Sequence, residues 1–463
     1  MSWLNSILNN LPEVAGPTQK KLSFKEKLKW TLIILVLFFI MGLVPLFGLG
    51  QNQLAQFDYL SIILGAKFGS LISLGIGPIV TASIVLQLLI GSGIMRLDLT
   101  KHEDKKRFQG LQKVLSVGFI LVEAAIYVFM GGLAPDARFE GTSMFFQLQL
   151  VLIFQLFLGG LLVLFMDEIV SKWGFGSGIS LFIAAGVSES IFIRAISPLA
   201  SPNQPDIATG AIPALFQFLA RGEVTNATLR IAALVSTILV FVVSVYVMAM
   251  KIEIPLSFGR VRGYGVRWPL AFAYTSNIPV ILVAALMANI QLWARLLQNW
   301  GYPLLGTFVG NTPRTGLVAW IYSPEIVQKI ITSSLTGADV LHGAIYMLFM
   351  IGGSVLFAWF WVQTAGMDAK SQARQIMASG LQIPGFRKDE RVLERLLERY
   401  IKPLTVMGAI AVGFLAGLAD LSGALERGTG ILLTVMIIYR LYEDIARQHL
   451  MDMHPMMRKF MGQ

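Results

Sequence analysis

The chain alternates between long apolar runs and short polar stretches. Crossing a bilayer takes about 20 mostly apolar helical residues, because unpaired backbone groups are too costly in hydrocarbon. Ten runs meet that need, near 30–49, 76–95, 111–131, 146–166, 175–195, 229–250, 272–293, 340–362, 403–420 and 428–446. The pattern predicts an all-α polytopic membrane protein with ten transmembrane helices. Met1–Lys29 holds no apolar core of signal-peptide length. This cytoplasmic segment is expected to form short interfacial helices at 2–11 and 20–29.

Charge tests the span count. With the N-terminus inside and strict alternation, 28 of the 37 Lys and Arg residues fall on the cytoplasmic side. The positive-inside rule expects this bias, and one miscounted span would scramble it. Both termini, including the tail 447–463, are therefore expected in the cytoplasm of a multi-pass cell-membrane protein. Ten spans divide into halves of five, 30–195 and 229–446, joined by an external loop and hinge at 196–228. An odd number per half makes the second half enter from the opposite side. Inverted repeats of this kind place a functional path at the interface between halves.

Composition agrees. Charged residues make up 14% of the chain, against about 25% in soluble domains, and mean hydropathy is +0.68. Absence of cysteine excludes a disulfide framework, a thiolate zinc site and a cysteine nucleophile. The four histidines, His102, His342, His449 and His454, fall in loops or at span ends without metal spacing. HExxH and GxSxG are missing, so no cofactor is expected. Gly174-Phe175-Gly176-Ser177-Gly178 has no preceding strand or following lysine, and reads as a glycine turn opening the fifth span.

One stretch fits neither span nor loop. Residues 57–75 are apolar but carry Asp58, Lys67, Gly65, Gly69 and Gly75. A short re-entrant helix shielded by protein fits, as does a packed surface helix. Polar residues inside spans are few: Thr81, Gln87, Glu123 and Asn289. Either a functional path or ordinary interhelical hydrogen bonding accounts for them.

The cytoplasmic loops 251–271 and 363–402 are basic. The second is too long for a simple connector, and 388–400 has a helical stripe of Val392, Leu393, Leu396, Leu397 and Tyr400. Such loops suit lipid headgroups or a docked polyanion such as ribosomal RNA.

Five stretches carry a resemblance: FKEKLKW (24–30), GIGPIVTASIVLQLL (75–89), GSGISLFIAAGV (176–187), YTSNIPVIL (274–282) and GTGILLTV (428–435). In these the chain resembles the SecY family, the pore-forming subunit of the Sec protein-conducting channel, in its archaeal or eukaryote-like form. The resemblance implies a clamshell of two halves around an hourglass pore. Its apolar ring would be Ile76, Val80, Ile179, Ile183, Ile281 and Leu433. Independently, 76/80 and 179/183 are i,i+4 pairs, so each pair shares a helix face. The plug would lie about 57–75, with Asp58, Tyr59, Leu60, Ile62, Ile63, Leu64 and Gly65. Thr81, Glu123 and Asn289 would form a polar cluster across a lateral gate between the second and third spans and the seventh and eighth. Arg260, Arg262, Arg387 and Lys388 would dock a ribosome. Implied partners are a SecE-like subunit, a small beta subunit, the ribosome, signal-sequence-bearing polypeptides and membrane lipids. Replacing Asn289 by leucine is expected to shift gate opening, with a sign set by the partners left behind.

A passive channel needs an unselective aliphatic waist. A secondary transporter, the competing reading, needs a polar midplane site. An intramembrane enzyme lacks a catalytic constellation.

Overall fold

A computed structural model describes residues 12–18, 22–52, 66–91, 94–95, 97, 102–201, 204–258, 265–275, 278–309, 312–378, 381–382, 389–426 and 428–453. Ten helices overlap the ten expected spans. They are α1 (Phe24–Leu43), α2 (Gly77–Gly91), α3 (His102–Phe129), α4 (Ser143–Trp173), α5 (Gly178–Ile196), α6 (Val224–Ala249), α7 (Ile278–Asn299), α8 (Gly337–Thr364), α9 (Glu390–Leu421) and α10 (Gly428–Met453).

Seven helices among the described residues are long and apolar enough to cross a membrane. The other three have local reasons for falling short. α1 opens with Lys25, Glu26, Lys27 and Lys29; α2 has 15 residues; α10 carries Arg440, Glu443 and Asp444 from its middle onward. The interfacial helix expected at 20–29 is instead the start of α1, because Ser23 caps it by accepting a hydrogen bond from the Glu26 amide. The helix expected at 388–400 runs unbroken into the ninth span. Pro403 is tolerated inside α9, where it removes one backbone donor.

The first five helices meet the last five along two seams. On one, α2 packs against α7 and α8; on the other, α5 packs against α10. α7 is central, with 72% of its apolar stretch buried, whereas α6 has 17% and faces outward. Phe38 of α1 stacks on Phe182 of α5 with ring centroids 4.5 Å apart, placing α1 against the main core.

Segment 66–76 is a run of turns, not a helix. Glycine and serine satisfy its backbone locally. The Gly69 amide donates to Ser73 Oγ (2.9 Å), and the Leu71 amide donates to Val44 O (2.9 Å). Gly159 of α4 allows this: a Cβ there would lie 1.8 Å from Leu71 O. Non-helical backbone at membrane depth is stable only when shielded and paired in this way. Pro78, in the first turn of α2, then starts the helix without losing an intrahelical bond.

The basic loop 251–271 contains a hairpin that was not expected. Strand β1 (Lys251–Phe258) pairs antiparallel with β2 (Gly265–Ala271), and β3 (Leu381–Gln382) adds to β1. Ile254, Leu270 and Tyr274 pack on Leu393, Leu397 and Ile401 of α9. Tyr274 Oη donates to Met367 O (2.7 Å), and burial pushes its hydroxyl pKa up. Within 196–228, Ala211–Arg221 forms a further short helix. At the N-terminus, Glu13, Val14 and Ala15 strap to Lys172, Glu168 and Trp173 of α4. The Lys172 ammonium holds the Glu13 carboxyl below its usual range.

Candidate functional site: an aliphatic waist and a polar seam

The six aliphatic positions fall in one large apolar cluster. Ile76 precedes α2 and starts it, its carbonyl accepting from the Val80 amide (3.0 Å). Ile179 and Ile183 lie one turn apart on α5, Ile281 on α7 and Leu433 on α10. Ile76, Val80, Ile183, Ile281 and Leu433 are buried in one apolar cluster, and Ile179 is partly buried against it. None of the six faces lipid as an exposed side chain. Both halves contribute, so the cluster sits where α2, α5, α7 and α10 approach one another.

Glycine and a partly buried carboxylate position the α5 pair. Asp167 of α4 accepts from the Ile179 amide (3.0 Å) at the N-terminus of α5. A Cβ on Gly178 would lie 2.6 Å from Asp167 Cα, so the approach needs glycine. A carboxylate suits the partial positive charge of that helix end. A cavity of 170 Å³ lies beside the start of α5, lined in part by Phe175, Ser180, Ile278, Ile437 and Arg440.

The polar seam lies where α2, α3 and α7 meet. Glu123 is 1% exposed, and Thr81 and Asn289 are also buried. Asn289 Nδ2 donates to Thr81 Oγ1 (3.1 Å), the bond that crosses between the halves. Thr81 Oγ1 lies 2.9 Å from Gly77 O and 3.3 Å from Glu123 Oε1, so its single proton serves one of the two. Four buried polar atoms along these helices have no partner among the described residues: Gln87 Oε1, Glu123 Oε2, Tyr127 Oη and Asn289 Oδ1. Each unmet atom carries a desolvation cost of about 1–3 kcal/mol. The seam is therefore stressed as well as bonded.

Tyr127 does not stand out in the sequence. It lies one turn from Glu123, and its ring packs edge-on to Phe68 (6.4 Å between centroids). A tyrosine at a span end is ordinarily an interfacial anchor, so only packing reveals its burial. Asp58, Tyr59, Leu60, Ile62, Ile63, Leu64 and Gly65 lie outside the described residues, as do Arg260, Arg262, Arg387 and Lys388. Arg260 and Arg262 fall between β1 and β2 in sequence. Among the described residues, no group of three or more His, Asp or Glu could hold a metal ion.

Known proteins resemble this chain throughout its length. The SecY family model matches residues 70–442. The protein translocase subunit SecY of Methanothermobacter thermautotrophicus is 46% identical, covering 98% of this chain and 97% of that protein. Its counterpart in Methanocaldococcus jannaschii is 43% identical with both chains fully covered. A solved protein-conducting channel superposes with a TM-score of 0.82 at 42% identity, covering 98% of each chain. Sec61 from a canine ribosome–channel complex of the endoplasmic reticulum gives 0.79 at 42% identity, also over 98% of each. The waist, the seam and the ten-helix order thus occur in a chain that belongs to the SecY family.

Proposed function

We propose that this chain is the pore-forming subunit of a protein-conducting channel. It passes unfolded polypeptide across the membrane and releases apolar segments sideways into lipid. The placement of six aliphatic side chains from both halves in one apolar cluster carries this reading. A passing chain presents every kind of side chain, so its pore must grip none. Branched aliphatic groups give a compliant seal that excludes water and ions by dewetting. A solute transporter needs polar groups at those positions.

In this reading the ten helices all span, in two inverted halves with both termini in the cytoplasm. The seam of α2 and α3 against α7 and α8 is the lateral gate. Segment 57–75 is the plug that closes the pore from outside, an assignment resting on sequence resemblance. A SecE-like subunit and a small beta subunit brace the clamshell in the cell membrane. Reconstitution tests the whole. With partner subunits and ribosomes, vesicles containing the chain should protect a nascent signal-bearing polypeptide from added protease. Vesicles without the chain should not. Equal protection in both would refute the function.

The ribosome interface has its own signature. Arg260 and Arg262 fall in sequence between the two strands of a hairpin braced on α9, and Arg387 and Lys388 fall just before that helix. Four cations bracketed by these braced elements suit ribosomal RNA. Removing one cation from a phosphate should flatten the slope of log affinity against log salt by about one. Arg387→Glu should therefore weaken binding and flatten that slope in a titration. An unchanged slope would take Arg387 out of the interface.

A further inference from the structure

We infer that α5 carries an ionic clasp, built around Glu189 and Glu426, whose members are positioning residues for the waist. The inference rests on the channel reading above.

One arm fixes the approach to α2. Lys67 Nζ lies 3.0 Å from Glu189 Oε1, with the two side chains 37% and 33% exposed. The lysine stem runs through a slot beside α1. A Cβ on Gly42 would lie 2.9 Å from Lys67 Cδ, and the ammonium sits 5.9 Å from the Phe39 ring centroid. A side chain at 42 would have to push the lysine stem aside. Lys67 is nine residues before Ile76, and the tight turns of 66–76 connect the two.

The other arm fixes the start of α10. Ser190, next to Glu189, donates to Glu426 Oε2 (2.5 Å). One turn further along α5, Arg194 Nε lies 3.5 Å from the same oxygen, and its Nη1 donates to Leu425 O (3.3 Å). The Glu426 side chain is 2% exposed, so these partners are what make its burial tolerable. The same turn is held from the second half, where the Leu425 amide donates to Thr237 Oγ1 (3.0 Å) of α6. Asp420, in the last turn of α9, accepts from the Thr429 amide (2.7 Å) in the first turn of α10 and so fixes how that helix begins. Leu433 follows Glu426 by seven residues.

Neighbouring positions on one helix thus tie down the two chain segments that launch Ile76 and Leu433. α5 itself supplies Ile179 and Ile183. The clasp joins three of the four elements that form the waist, and crosses between halves on the side away from the polar seam. Loosening it lets the aliphatic side chains part while each helix stays intact.

Charge exchange tests this in planar bilayers containing the complete channel complex. A partly exposed pair contributes up to about 1 kcal/mol, or about fivefold in an open fraction. Lys67→Glu and Glu189→Lys should each raise resting ion conductance about fivefold. The double exchange should return it to within about twofold of the parent, a rescue that mere loss of packing would not give. Glu426→Gln keeps the hydrogen bond to Ser190 but loses the charge, and should leak at least as much. A neutral pair, Lys67→Met with Glu189→Gln, should leak more than the parent but no more than the single exchanges, which add like-charge repulsion, while keeping the parent's melting temperature. Single exchanges that do not leak, or a double exchange that stays leaky, would overturn the clasp. A parent that passes no ions even with a signal-bearing chain held inside would instead remove the channel reading, and the clasp with it.

Discussion

Replacing Ile183 and Ile281 together by serine should raise the resting ion conductance of the channel at least about tenfold. One residue comes from α5 and one from α7, so both halves lose an aliphatic face of the same buried cluster. Water avoids a narrow aliphatic constriction because nothing there replaces its hydrogen bonds. Two hydroxyls supply such partners, and the shorter side chains widen the gap. Lowering the barrier by about 1.4 kcal/mol is enough for tenfold, and each missing isoleucine face is worth more than that in apolar burial. Isoleucine to valine at both sites removes only a methylene each, and should leave conductance within about twofold of the parent. Translocation should persist in both, since no specific grip on the passing chain has been removed. A serine pair that stays tight in planar bilayers would place the barrier elsewhere.

The ten helices were legible because bilayer thickness imposes a length and a polarity that few other constraints imitate. The ends were less legible. The first helix starts six residues before its expected span, because a serine cap and an amphipathic first turn continue smoothly into apolar sequence. The seventh starts six residues later than expected, because Arg267–Tyr274 is apolar enough to pass for helix but belongs to a hairpin and the turn after it. The partner strand, Lys251–Phe258, alternates only weakly, and its flanking charges give it the look of a basic loop. Short segments whose shape is decided by packing on α9 carry little periodic signal of their own.

The site was legible in identity but not in strain. Glu123 and Asn289 stood out as polar residues in apolar helices, and i,i+4 spacing put the isoleucine pairs on common faces. Nothing in the spacing distinguishes a satisfied buried amide from one with an unmet oxygen. Tyr127 has the look of an anchor at a span end, and Glu189 and Glu426 of solvated charges near span ends. The burial of Glu426 and its bond to Ser190 arise because the fold brings together residues more than 230 positions apart.

That strain sets a sign for the gate. Asn289→Leu should favour the shut state and lower insertion of weakly apolar signal segments about fivefold. The leucine loses one bond across the seam, from Nδ2 to Thr81 Oγ1. Such bonds average about 0.6 kcal/mol inside membranes. Thr81 is not stranded, because its hydroxyl still reaches Gly77 O at 2.9 Å. The substitution also removes Oδ1, buried without a partner among the described residues, and with it about 1–3 kcal/mol of desolvation cost. Opening exposes this seam to the water-filled pore, so that cost belongs to the shut state alone. Relief of the desolvation cost outweighs the missing bond by about 1 kcal/mol, which is about fivefold. Strongly apolar segments should be less affected, because their greater preference for the open state offsets the shift. Tyr127→Phe isolates the desolvation effect, since its hydroxyl makes no bond to a described residue. Crosslinking of signal segments to the seam should therefore fall in both variants. A rise with Asn289→Leu alone would mean that the Thr81 bond outweighs the unmet oxygen, and no change in either would separate this seam from gating.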